Sequence, residues 1–455
     1  MQEKEVNRRE YRRKRRIKNQ ILSILSLMVV MVLIVSGIGC LIYLGGDYLL
    51  SKSNEEKQME DNVDENGDAD NDVDGDNDEG DDVDEELQAE LDKLEEEERE
   101  REEQLEVFEE LVSSHINNMT MEEKVAGLFV TTPEELTGVG VAVRAGNTTK
   151  EKLAEYPVGG MVYFGKNIKD KEQLQTMINN TVSFCKYPLF ICVDEEGGTV
   201  SRIANAELDI ENVGDMKEIG ATGIVDNAAT AGSTIGSYLA ELGFNIDFAP
   251  VADVASVEDS EMEDRSFGAD PNMVGDMVAA YIGGVQANGV SATAKHFPGI
   301  GSTTEDTHNG QVVIDKSLEE LRSEEFIPFI KAIEAGVDLI MVGHVSVPHV
   351  IGDDTPSSLS SMMINEILRN ELGYKGVVVT DALDMGSITD KYEAGEASVM
   401  AIQAGADILL MPEDFEVAYN AVLEAVESGK IPSERLDESL KRIYRVKFKS
   451  ALMIE

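Results

Sequence analysis

The chain has 455 residues, with 39 Lys and Arg against 89 Asp and Glu and a formal net charge of −50. That acidity argues against a nucleic-acid partner, because phosphates would be repelled. Only three cysteines occur, too few for a disulfide framework in a chain of this size.

Residues 1–20 carry nine Lys/Arg against three Glu and read as a basic cytoplasmic tail. Residues 21–44 contain no charge and predict a transmembrane helix. At about 1.5 Å per residue the segment spans roughly 36 Å, against a bilayer core of about 30 Å. Basic residues before it and acidic ones after it predict a single-pass cell-membrane protein with its N-terminus in the cytoplasm and the rest extracellular. A cleaved signal peptide fits less well, because the apolar core continues past Cys40 through Leu41, Ile42, Tyr43 and Leu44. Gly39-Cys40 resembles a lipoprotein acylation site, but Gly37 stands where a larger aliphatic residue is usual.

Residues 45–84 read as an acidic disordered linker, since Asp, Asn, Gly and Glu cannot bury a core. Asp72 to Asp78 has the look of a calcium loop, yet the twelfth position is Val83 where an EF-hand needs Glu. Residues 85–106 read as a charged helical stalk. Leu87, Leu91 and Leu94 have helical spacing but satisfy only about one heptad, which favours a solvated helix over a dimer seam.

Residues 107–455 read as the globular, catalytic part. Thr120-Met121-Glu122-Glu123 predicts a capping box at a helix start. Eight short apolar runs then alternate with helical patterns: 126–131, 160–164, 189–193, 246–251, 290–294, 339–342, 376–380 and 406–411. Eight β/α units predict an α/β fold, a (β/α)8 TIM-like barrel. Cys185 and Cys192 read as small core residues.

Polar residues sit at the ends of these runs, where barrels build active sites. They are Asp194-Glu195-Glu196, Asp253 with Arg265 in its loop, Lys295-His296, His344 and Asp381. Asp306-Thr307-His308 follows Lys295-His296-Phe297-Pro298-Gly299. Residues two apart in an extended loop point the same way, so Asp306 can orient His308 as an acid/base histidine. Each has a plainer reading. Asp381 fits a helix N-cap, Asp306 a turn residue, His308 a surface histidine and Lys295 a structural ion pair. His344 fits a satisfied buried histidine, and Asp253 a brace for Arg265 or a strand end. Glu195 and Glu196 flank a glycine turn open to solvent. No metal site is predicted: the histidines lack i,i+4 pairing and the cysteines lack Cys-x-x-Cys spacing. There is no Trp, which leaves Tyr163, Phe164 or Phe297 to stack on a sugar.

Met119 to Lys124, Val193 to Gly198, Lys295 to Gly299, Gly376 to Met385 and Ala404 to Asp407, in this order, resemble glycoside hydrolase family 3. The resemblance covers Met119 to about Pro412 and is to the short, single-barrel β-N-acetylhexosaminidase form. It implies Asp381 as nucleophile and His308, oriented by Asp306, as general acid and base. Asp194, Arg265, Lys295 and His296 would bind the sugar, with His344 beside them. It further implies a retaining exo-hydrolase with no cofactor and a monomeric catalytic domain. The substrate would be terminal β-linked N-acetylglucosamine on a cell-wall glycan. A β-glucosidase, another family 3 exo-glycosidase, a Schiff-base aldolase using Lys295 and a catalytically weak wall-binding module are the alternatives. Ile300 departs from the family's loop, which commonly has a second histidine there.

Overall fold

The computed structural model describes residues 79–306 and 310–449. Eight strands form one parallel sheet: β1 (Phe129–Thr131), β2 (Gly160–Val162), β3 (Phe190–Val193), β4 (Ile246–Asp247), β5 (Ser291–Phe297), β6 (Leu339–Val342), β7 (Val377–Thr380) and β8 (Leu409–Leu410). From β1 to β7 each pairs with the next in parallel register, and β1 pairs with β8 through Phe129–Leu409 and Val130–Leu410. Between β7 and β8 the Val379–Ile408 bridge joins the ends, so the sheet is a largely closed barrel. Seven of the eight strands fall within the apolar runs of the sequence, and β5 continues past its run through Lys295, His296 and Phe297. Parallel barrel strands are covered on both faces, which demands continuous runs rather than alternation. Val377, Val378 and Val379, for example, are all fully buried.

Helices wrap the barrel, and their packing is close enough to specify glycine. A Cβ on Gly232, in helix Val225–Leu242, would lie 2.3 Å from the carbonyl oxygen of Tyr281 in helix Pro271–Gln286. Thr120 forms the expected capping box on helix Met121–Ala126. Its hydroxyl accepts from Glu123 N–H at 3.3 Å, and Glu123 accepts from Thr120 N–H at 3.0 Å.

Asp407 closes the end of the barrel opposite the strand carboxyl ends. It is fully buried at the start of β8 and accepts from Arg369 at 2.5 Å, Arg442 at 2.9 Å, the Ser439 hydroxyl at 2.7 Å and Val378 N–H at 3.0 Å. Burial alone would raise its carboxyl, but Arg369, Arg442 and Arg435 hold it below its ordinary value. This part of the sequence signature is therefore structural.

The helix Glu79–Asn117 has 39 residues. It begins inside the expected linker and runs unbroken past residue 106. Phe108, Val112 and Ile116, one turn apart, bury its last third against the core.

The expected membrane element requires correction. Among the described residues no helix is long and apolar enough to cross a membrane. Glu79–Asn117 has the length but is dominated by Glu, and a span needs an apolar run as well. The segment 21–44 itself lies outside the described residues, as do the basic tail and most of the linker. The transmembrane helix, the membrane partner and the single-pass, outward-facing localisation are accordingly withdrawn.

Candidate active site

β5 carries the centre of the site. Adjacent residues on a regular strand face opposite sides, yet Lys295 and His296 both line one cavity. The pairing of β5 with β6 shifts register between Ala294 and Phe297, which breaks the alternation there. Phe297 is then free to turn into the core, where it stacks on Phe326 at 5.4 Å and meets Phe329 edge-on at 5.2 Å.

Lys295 is a fully enclosed ammonium with two carboxylate partners. Its Nζ lies 2.6 Å from Glu196 and 2.9 Å from Asp194. Glu196 in turn takes Arg265 through two parallel bonds, 2.8 Å to Nε and 2.7 Å to Nη2. Burial would raise the Glu196 carboxyl, but Arg265 and Lys295 reverse the effect and hold it far below the carboxylate range. Burial would likewise discharge Lys295, and Asp194 and Glu196 raise it instead. Glu196 thus fixes both cations, while Asp194, with 19% of its side chain exposed, keeps a face to the cavity. The reading of Glu195 and Glu196 as solvated is corrected. Both are buried; Glu195 accepts from Ile203 and Ala204 N–H and from the Tyr238 hydroxyl.

His296 is held by Asp253. One carboxylate oxygen, Oδ2, lies 3.1 Å from His296 N and 2.8 Å from His296 Nδ1, and Oδ1 accepts from Ile300 N–H at 2.7 Å. A carboxylate only accepts, so Nδ1 carries the proton. Asp253 therefore braces a strand end, as the plainer reading had it, and through it the imidazole.

Asp381 follows β7 directly and lines the same cavity. Its Oδ1 accepts from Ala382 N–H at 2.8 Å. Burial opposes its charge, but His296, His344, the Ala382 bond and Lys295 together hold its carboxyl below the ordinary value. It is an ionised, half-buried carboxylate in a pocket that also holds the Lys295 ammonium. His344 is buried and stands behind this residue: its Nε2 donates to the Ala382 carbonyl at 2.9 Å and its Nδ1 lies 2.7 Å from the Ser358 hydroxyl. It is not among the cavity-lining residues.

The cavity has a volume of about 460 Å3. Asp194, Glu196, Arg265, Lys295, His296 and Asp381 line it together, with Ile300 on its wall. Of the three aromatics named from the sequence only Phe164 reaches it. Tyr163 is buried with its hydroxyl on Thr181 at 3.0 Å, and Phe297 is in the core. Asp384 and Glu261, not singled out from the sequence, also line it. Asp306 is half-buried, and His308 lies outside the described residues. Among the described residues no cluster of three or more His, Cys, Asp or Glu has the geometry to hold a metal.

The glycosyl hydrolase family 3 N-terminal domain model matches residues 99–446. Beta-hexosaminidase A of Pseudoalteromonas piscicida is 33% identical over 328 residues, 66% of this chain and 54% of its own length. A beta-hexosaminidase of Stenotrophomonas maltophilia is 34% identical over 281 residues, 60% of this chain and 82% of its own. The solved structure of a Paenibacillus family 3 β-N-acetylglucosaminidase superposes with a TM-score of 0.69 at 35% identity, over 74% of this chain and 64% of that one. The chain thus spans about half the length of the Pseudoalteromonas relative. Barrel, strand-end site and sequence likeness agree, and the chain belongs to glycosyl hydrolase family 3.

Proposed function

We propose that the chain is a retaining exo-β-N-acetylglucosaminidase acting on terminal β-linked N-acetylglucosamine of peptidoglycan-derived glycans. The observation that carries this is Asp381, an ionised carboxylate that lines the strand-end cavity together with Lys295 and His296. A carboxylate there is placed to attack an anomeric carbon and leave a covalent glycosyl-enzyme, the first half of a configuration-retaining displacement. Asp194, Lys295 and Arg265 offer an acceptor and two donors to sugar hydroxyls. His296 offers Nε2, since Nδ1 is committed to Asp253. His308, oriented by Asp306, protonates the leaving oxygen and then deprotonates water; a near-neutral imidazole suits both steps.

The choice of N-acetylglucosamine over glucose rests on the Asp306-x-His308 loop and on the named activities of the relatives. The test is a panel of p-nitrophenyl glycosides with the product anomer followed by NMR. Release from the β-N-acetylglucosaminide with retained configuration is expected. Asp381→Ala should lower it by about three orders of magnitude or more. Faster turnover of the glucoside would replace this reading with a β-glucosidase, and full activity in Asp381→Ala would remove the nucleophile.

A further inference from the structure

Glu195 lies between two residues of the cavity wall yet does not line it. Neighbours in extended chain face opposite ways, so Asp194 and Glu196 point into the cavity and Glu195 points behind it. Every polar group of Glu195 is held there. Its N–H donates to Asp247 Oδ1 at 3.0 Å, and its carbonyl accepts from the Tyr281 hydroxyl at 3.1 Å. Its carboxylate accepts from Ile203 N–H at 2.7 Å, Ala204 N–H at 2.9 Å and the Tyr238 hydroxyl at 2.7 Å. Tyr238 and Tyr281 come from the two helices that pack closely at Gly232, and Asp247 ends β4. Three elements of the barrel thus meet on one residue.

Asp247 is the informative member. It is fully buried and pairs across the sheet with Val193, the residue before Asp194. One of its oxygens takes the Glu195 N–H; the other is buried and, among the described residues, has no hydrogen-bond partner. A buried carboxylate needs several donors, and Asp247 has one where Glu195 has three. Burial raises both carboxyls, that of Asp247 the further. Asp247 is therefore the neutral acid of the two, and what the fold uses is a single acceptor oxygen. That oxygen and the Tyr281 hydroxyl hold the two peptide groups that join Asp194 to Glu195 and Glu195 to Glu196.

We infer that Asp247 and Tyr281 are positioning residues for the cavity: through the backbone of Glu195 they set Asp194 and Glu196 at 2.9 and 2.6 Å from the Lys295 ammonium. This rests in part on the reading above, in which Asp194 and Lys295 meet the sugar. The first measurement is kcat/KM for the p-nitrophenyl N-acetylglucosaminide and for its singly deoxygenated analogues. Asp247→Ala should lower kcat/KM for the parent glycoside by about 10- to 100-fold. The ratio of parent to deoxy substrate that collapses in Asp194→Ala should fall severalfold in Asp247→Ala as well, and Asp247→Asn, which keeps the acceptor oxygen, should restore it. The second measurement needs no substrate: the rate of reductive methylation at Lys295, read by mass spectrometry. It should be slow in the unaltered protein and in Asp247→Asn, and about tenfold faster in Asp247→Ala. Should Asp247→Ala not fold, Tyr281→Phe, which removes one hydroxyl, is read the same way. A deoxy ratio and a methylation rate that both stay unchanged while only stability falls would make the clamp a fold element and overturn the inference. Damage in Asp247→Asn equal to that in Asp247→Ala would overturn it too, because the acceptor oxygen would not be what matters. Turnover of no glycoside removes the hydrolase reading alone, and the Lys295 rates then decide the clamp.

Discussion

Asp253 grips His296 twice with one oxygen: Oδ2 lies 3.1 Å from the backbone nitrogen and 2.8 Å from ring Nδ1. The arrangement sets the position of the strand end and the rotation and tautomer of the ring together. Its other oxygen takes Ile300 N–H, so the turn after β5 hangs on the same carboxylate.

Asp253→Asn leaves one acceptor for three donors and should free the ring. The expected result is a kcat/KM lower by about 10- to 100-fold, as for other residues that orient a functional histidine. The accompanying loss of stability is about 1–3 kcal/mol, from a buried N–H left unmatched. Kinetics on the p-nitrophenyl N-acetylglucosaminide and a urea melt read the two effects. Unchanged kinetics with lower stability would make Asp253 a fold residue only.

Glu196 predicts a pH signature. Its side chain is 1% exposed and its carboxyl is held below the unfolded value of about 4.3. The contribution is therefore complete above about pH 5 and is lost as pH falls through the folded value. Glu196→Gln should cost about 3–5 kcal/mol at pH 7, because Lys295 and Arg265 lose their shared partner. The gap to the unaltered protein should narrow below about pH 4, by up to about 1.4 kcal/mol per pH unit. Glu195 and Asp247, raised by burial, titrate in both proteins and drop out of the difference. Urea midpoints at pH 7 and pH 3 check it; a constant gap would mean that Glu196 is not ionised by its neighbours.

Asp407 should affect stability without affecting chemistry. Arg435 and Arg442 lie on helix Ser433–Lys447, so Asp407→Asn loosens that helix as well as Arg369. A loss of about 3–5 kcal/mol is expected, with faster amide exchange in the helix. Well below the melting temperature kcat should stay within about twofold, since Asp407 lies at the opposite end of the barrel from Asp381. A large fall in kcat at full folding would contradict this division.

His308 is tested through the leaving group. An aryl oxide departs with little help, whereas a sugar alkoxide needs its proton. His308→Ala should therefore slow a disaccharide by about 100-fold or more beyond its effect on the p-nitrophenyl glycoside. Equal slowing of both would take the acid role away from His308.

Much of this protein was legible in one dimension. Barrel strands buried on both faces leave unbroken apolar runs, and all eight were visible with their strand-end residues Asp194, Lys295, His296 and Asp381. The Thr120 cap was visible because its partner is three residues away. What needed the tertiary structure are contacts between residues distant in the chain. Glu196 and Arg265 are 69 positions apart, and Asp253 and His296 are 43. No spacing rule reaches that far, so Glu196 read as solvated and Asp253 as an unspecific brace. Burial likewise chose Phe164 over Tyr163 and Phe297 as the aromatic at the cavity, and turned His344 onto the Ala382 carbonyl. Local periodicity reports which face of an element is apolar; only the closure of the barrel decides which charged groups must share the space that remains.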